Sequence, residues 1–198
     1  QRHVFTRRCP MIVEETALAG VLILTPRRFA DARGWFSEVW NRDTLRAQGI
    51  ELDFVQDNHS YSKDRGTVRG LHFQAPPRAQ AKLVRCARGT VMDVAVDVRV
   101  GSPTFGKWAG VELSAENGRQ FLIPTGFLHG FATLTPDCEV LYKCTDTYAP
   151  ASDGGVRFDD PDLGIDWGVD PAVAILSDKD RAAPLVRDFV SPFTYEAG

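Results

Sequence analysis

Four side chains of this sequence have the chemistry of proton transfer: His72, Lys82, His129 and Tyr142. His72 closes the spacing Gly66-x5-His72 on the apolar run Thr67–Gln74, and Lys82 opens the next run after the turn Ala75–Ala81. His129 ends Gly118-x5-Pro124-x-Gly126-x2-His129, in which a Pro-x-Gly turn joins two strands and aims the imidazole inward. Tyr142 lies within Val140-Leu141-Tyr142-Lys143. An imidazole with a pKa of about 6.5 is a base, a lysine is a fixed cation and a phenol is a proton donor. If these strands line one barrel, the three types converge as parts for moving a proton beside a carbonyl. A lone strand histidine is more often a core residue; the company of Lys82 and Tyr142 favours chemistry for His72. The same spacing argues against a metal, because a transition-metal site needs three or four N, O or S ligands at about 2 Å. Two residues beyond His72 stands Gln74, no carboxylate lies around Arg78–Ala81, and no other His-rich cluster supplies the remainder.

The elements that must hold these groups are mostly strands. Val91 to Val100 alternates strictly, with Met92, Val94, Val96, Val98 and Val100 on one face and Asp93, Ala95, Asp97 and Arg99 on the other. That period of two reads as a half-buried strand. Lys82 to Cys86 precedes it, and Arg88-Gly89-Thr90 between them suggests a hairpin. Further strands are expected at Gly20–Thr25, Thr67–Gln74, Phe105–Leu113, Arg119–Ile123, Gly130–Leu134 and Glu139–Thr145. Many short strands with Gly, Pro, Asn and Asp between them imply a β-sandwich or barrel. Helical signals are few: Asn41 caps a short helix through Arg46, and Ser177 opens another at Asp178–Arg181. The Pro- and Gly-rich stretch Ala149–Gly168 reads as an irregular surface excursion. With the two Gly-x5 spacings, the fold class is all-β, a cupin-type double-stranded β-helix or jelly-roll barrel with a few short helices.

Composition bounds the partners. The chain has 198 residues, 43% apolar and 25% charged, enough for a single domain with a buried core. Residues 1–10 read as an irregular extension. Lys and Arg number 23 against 26 Asp and Glu, a net charge of −3, which disfavours a general nucleic-acid binder. No apolar run approaches the roughly 20 residues that span a bilayer. The four cysteines, Cys9, Cys86, Cys138 and Cys144, form no Cys-x-x-Cys pair, and those in apolar runs read as buried free thiols. The expected location is cytoplasmic.

At these residues the sequence resembles the dTDP-4-dehydrorhamnose 3,5-epimerases. The resemblance is carried by Arg33-Gly34-Trp35-Phe36-Ser37-Glu38, Phe54–Ser60, Arg69-Gly70-Leu71-His72-Phe73-Gln74, Lys82–Arg85, Ser102–Trp108, Ile123–Phe127, Leu141–Asp146 and Leu176–Asp180. It implies inversion at C3 and C5 of a 4-keto-6-deoxyhexose attached to dTDP, with neither a metal nor NAD as cofactor. It makes His72 the base, Asp180 the carboxylate that holds it, Tyr142 the donor on the opposite face, and Lys82 the counter-charge of the enolate. Asp180 also fits a helix-capping pattern with Ser177, so its residues alone leave both roles open. For the nucleotide the resemblance implies Arg33, Glu38, Gln56, Asn58, Arg69, His129, Lys179 and Asp153, with Tyr148 stacked on the thymine and Arg69 and Lys82 suited to the diphosphate.

The resemblance further implies a homodimer in which N-terminal strands cross to the partner and carry Arg33 and Glu38 to the neighbouring pocket. Thr147 stands where many members have a second aromatic residue beside Tyr148. An epimerase of C3 or C5 alone and a 3,4-ketoisomerase use the same parts, and a non-catalytic sugar-nucleotide binder is the alternative outside enzymes.

Overall fold

A computed structural model describes residues 11–196. Thirteen strands follow the Gly/Pro punctuation. They begin with β1 (Met11–Glu15), β2 (Leu22–Pro26), β3 (Arg28–Asp31), β4 (Gly34–Ser37), β5 (Gln56–Ser62) and β6 (Val68–Gln74). Next come β7 (Lys82–Arg88), β8 (Thr90–Asp97), β9 (Trp108–Ser114) and β10 (Gln120–Ile123). The last are β11 (Phe127–Thr133), β12 (Cys138–Cys144) and β13 (Asp153–Gly155). Two short helices, α1 (Arg42–Arg46) and α2 (Asp178–Arg181), start at the expected caps. The Asn41 side chain accepts from the Asp43 and Thr44 N–H groups, and that of Ser177 accepts from the Asp180 N–H.

Two antiparallel sheets face each other, in the orders β1-β2-β10-β7-β12-β5 and β13-β6-β11-β8-β9, while β3 and β4 form a separate hairpin. Phe121, Ile123, Val84 and Val140 from the first sheet and Val91, Val111, Leu113 and Phe131 from the second fill one core between them. A second core, with Val94, Val96, Val98, Phe158 and Trp167, lies on the outer side of the five-stranded sheet. A third surrounds Leu24, Leu83, Leu122 and Leu45 of α1 outside the six-stranded sheet. This is the jelly-roll arrangement expected from the strand spacing.

Three expectations need correction. The segments Lys82–Cys86 and Val91–Val100 do not form a hairpin. β7 pairs with β10 and β12, whereas β8 pairs with β11 and β9. Gly89 turns the corner between sheets at φ +76°, and a Cβ there would lie 2.7 Å from Cys138 Sγ and Thr135 Oγ1, so glycine is required. Strand β8 is also not half-buried, since Asp93 and Asp97 on its polar face are fully buried. That face lines the interior, and its valine face is covered by the C-terminal segment. Finally, Ala149–Gly168 is no mere surface excursion: it supplies β13, which pairs with β6, and buries Val156, Phe158 and Trp167. The expected extension at residues 1–10, with Cys9, lies outside the described residues. Among the described cysteines, Cys86, Cys138 and Cys144 are buried free thiols.

Candidate active site

The two sheets present different chemistry to the space between them. β6 brings His72 from the five-stranded sheet, and the adjacent β11 brings His129 directly opposite it in register. That pairing depends on Gly70, where a Cβ would lie 2.6 Å from the Gly130 Cα. The facing sheet contributes Lys82 from β7 and Tyr142 from β12, with Lys82 Nζ 5.9 Å from the centre of the tyrosine ring. All four line one cavity of about 410 Å³, together with Arg69, Lys179 and Asp180. An adjoining recess of about 370 Å³ shares His72, Lys82, Tyr142 and Lys179 and extends to Gln56, Asn58, Tyr148 and Asp153.

Asp180 enters from α2 and is 5% exposed. Its Oδ1 lies 2.5 Å from His72 Nε2, and its Oδ2 accepts from the Gly70 N–H at 3.4 Å. Ser177 caps the helix through the Asp180 backbone N–H, while the Asp180 carboxylate contacts His72. Burial opposes the carboxylate's charge. The hydrogen bond and charge of His72, together with bonds from Gly70 and Ser177, more than offset that, and the Asp180 carboxyl lies below its usual range. An ionised carboxylate on Nε2 fixes that nitrogen as N–H and leaves Nδ1 with the basic lone pair.

Burial also shapes the opposite wall. It raises the Tyr142 phenol, which keeps it protonated as a donor, and lowers the Lys82 ammonium against the opposing pull of Cys144, Asp93 and Asp153. His129 is more deeply placed than its expected grouping with the nucleotide suggests. It is 7% exposed, beside His72, with its Nε2 2.9 and 3.1 Å from the Asp93 carboxylate oxygens. Burial lowers His129 and raises Asp93, each against the opposing pull of its partner. Asp93 was not foreseen as a site residue. Its signal was the polar face of the Val91–Val100 alternation, which in a barrel points inward.

The nucleotide set divides. Arg69 lines the main cavity and donates to Ser62 Oγ at 3.1 Å. Gln56 Nε2 donates to Asn58 Oδ1 at 3.1 Å, and Asn58 Nδ2 reaches Cys144 Sγ at 3.6 Å. Asp153 joins Lys179 in an ion pair and accepts from the Tyr148 hydroxyl at 3.3 Å. Arg33 and Glu38 are elsewhere. Arg33 is an exposed side chain paired with Asp31 in the β3–β4 hairpin, and Glu38 accepts from Asn41 and Thr44 at the start of α1. Among the described residues, no group of three His, Cys, Asp or Glu side chains is arranged to hold a metal ion.

A cupin-type barrel with a His–Asp dyad on one wall and a phenol with a lysine on the other defines a class of proton-transferring isomerase. Residues 15–188 match the family model described as dTDP-4-dehydrorhamnose 3,5-epimerase. The chain is 54% identical over 177 residues to a dTDP-4-dehydrorhamnose 3,5-epimerase of Salmonella typhimurium, covering 89% of this chain and 96% of that one. A dTDP-6-deoxy-D-glucose-3,5-epimerase from Legionella pneumophila, solved with dTDP-4-keto-L-rhamnose, superposes with a TM-score of 0.90 at 44% identity, covering 94% of this chain and 100% of that one. A dTDP-4-dehydrorhamnose 3,5-epimerase from Bacillus anthracis, solved with TDP and pyrophosphate, gives 0.86 at 49% identity, covering 89% and 99%. The chain therefore belongs to the dTDP-4-dehydrorhamnose 3,5-epimerase family.

Proposed function

We propose that this protein inverts C3 and C5 of dTDP-4-dehydro-6-deoxy-D-glucose to give dTDP-4-dehydro-L-rhamnose. The observation that carries this reading is the pair of opposed walls. Inversion requires a proton to leave one face of a carbon and another to arrive on the opposite face. His72 takes the hydrogen α to the C4 ketone, and the C–H electron pair moves to the carbonyl oxygen as an enolate. An α-proton is far less acidic than an imidazolium, and each pKa unit costs about 1.4 kcal/mol, so the base alone is insufficient. The Lys82 ammonium stabilises the enolate oxygen. Tyr142 then protonates the carbon from the other side and the ketone re-forms; solvent takes the extra proton from the His72 imidazolium and returns one to the Tyr142 phenolate.

At the nucleotide end, Arg69 and Lys179 meet the diphosphate and Tyr148 stacks on thymine. Gln56, Asn58 and Asp153 line the passage between, and His129 contacts the sugar rather than the base. Arg33 and Glu38 act on the pocket of a second copy in a homodimer with exchanged N-terminal strands. The exposed Phe29, Trp35 and Phe36 of the same hairpin support that role. No helix among the described residues is long and apolar enough to cross a membrane. Work on a cytoplasmic sugar nucleotide fits that observation.

Incubation with dTDP-4-dehydro-6-deoxy-D-glucose, followed by NMR, tests the reading. The expected product has both centres inverted and C4 still a ketone. Inversion of one centre identifies a monoepimerase, and a relocated ketone identifies a ketoisomerase. Either result overturns the double inversion.

A further inference from the structure

Gln74, two residues beyond His72, is 5% exposed and has all its amide atoms engaged. Its Nε2 donates to the Arg78 carbonyl at 2.5 Å and the Thr147 carbonyl at 3.0 Å, and its Oε1 accepts from the Ala149 N–H at 2.9 Å. Two carbonyls on one end and an N–H on the other allow a single orientation of the amide. These partners belong to the two loops beside the recess, residues 75–81 and 145–149. Arg78 strengthens the same junction with a forked pair to Asp146 at 2.9 and 2.7 Å and a bond to Thr147 Oγ1 at 2.6 Å. From β5, Gln56 Oε1 accepts from the Tyr148 N–H at 2.9 Å.

The backbone before, at and after Tyr148 is thus tied to β5 and β6, while Tyr148 as a residue remains 58% exposed at the recess. An exposed ring on a rigid backbone suits stacking, which needs a flat surface at a fixed place more than it needs directional bonds. His72 and Gln74 are alternate residues of one strand and so lie about 7 Å apart on the same side. One strand therefore carries both the base and the anchor of the aromatic surface.

We propose that Gln74, braced by Arg78, is a positioning residue for the nucleobase end of the substrate. It holds Tyr148 at a fixed reach from His72, so that a nucleotide seated on the ring brings the sugar into register with the base. The inference rests on the substrate proposed above.

Gln74→Leu removes the three bonds, and Gln74→Glu keeps the acceptor but turns a charge on two carbonyls. Both should weaken dTDP binding in calorimetry by about tenfold, the scale of one lost base stack, and raise KM similarly while kcat stays within about twofold. In a Tyr148→Ala background, Gln74→Leu should add no further loss of dTDP affinity, because the surface it positions is gone. Equal losses in both backgrounds, or a fall in kcat with dTDP affinity unchanged, overturn the proposal. If Gln74→Leu does not fold, Arg78→Lys in the same two backgrounds gives the same decision from a partly exposed site. Wild-type turnover is measured alongside. A wild type that binds dTDP without converting the sugar overturns the substrate reading, while the dTDP cycle still decides the role of Gln74.

Discussion

Asp180→Asn isolates the carboxylate's contribution to the base. The substitution preserves shape, and the amide oxygen can still accept from the Gly70 N–H, but the 2.5 Å contact to His72 Nε2 loses its charge. Asp180 is 5% exposed, so little water screens the pair or takes the carboxylate's place. A hydrogen bond to a charged group contributes about 1.5–3 kcal/mol. At about 1.4 kcal/mol per factor of ten, loss of that stabilisation from the imidazolium-forming step slows proton removal roughly 10- to 150-fold. The assay is the rate of deuterium entry at C3 in D2O, with dTDP affinity measured in parallel. Affinity should be unchanged, because Asp180 acts through His72 and not on the nucleotide. An exchange rate within about twofold of wild type would refute the dyad, and an equal loss of dTDP affinity would show that the substitution disturbs the pocket at large.

Tyr142→Phe should retain part of the exchange but lose inversion, read as deuterated substrate of unchanged configuration; equal loss of both counts against the two-wall assignment. Lys82→Gln keeps a polar group but removes the ammonium, and kcat should fall by about 10²- to 10³-fold, the scale of a lost oxyanion donor. Asp97 offers a test of stability. Burial alone would raise it, yet bonds from Arg99, Ser102 and Thr104 hold it at about 2, below the ordinary carboxylate value of 3.8. Its contribution is present above the unfolded value and lost as pH falls through the folded one. The stability gap between wild type and Asp97→Asn, from urea unfolding, should therefore narrow by about 2 kcal/mol on acidification from about pH 5 to about pH 2. A gap independent of pH would contradict that assignment.

How far the site could be read from the sequence depended on whether the signal was local. The caps of α1 and α2 involve groups within three residues of each other, and both helices begin where Asn41 and Ser177 predict. Gly89 was misread because a glycine with positive φ serves a hairpin and a sheet-to-sheet corner equally well. Only the partners of β7 and β8 distinguish them. Asp93 and Asp97 were placed on a polar face correctly, but periodicity does not say whether such a face meets water or a polar interior. Asp180 was ambiguous because its backbone and its carboxylate have different partners, one of them 108 residues away. Arg33 and Glu38 came from the resemblance alone, and one chain does not bring them to the cavity.

Deuterium entry into the hexulose, compared between wild type and His72→Ala at saturating dTDP-4-dehydro-6-deoxy-D-glucose, tests the central claim most directly. The account predicts solvent deuterium at both C3 and C5 with the wild type and near-complete loss at both with His72→Ala, while dTDP still binds. Exchange that persists in His72→Ala, or wild-type product that carries no solvent deuterium, would contradict it.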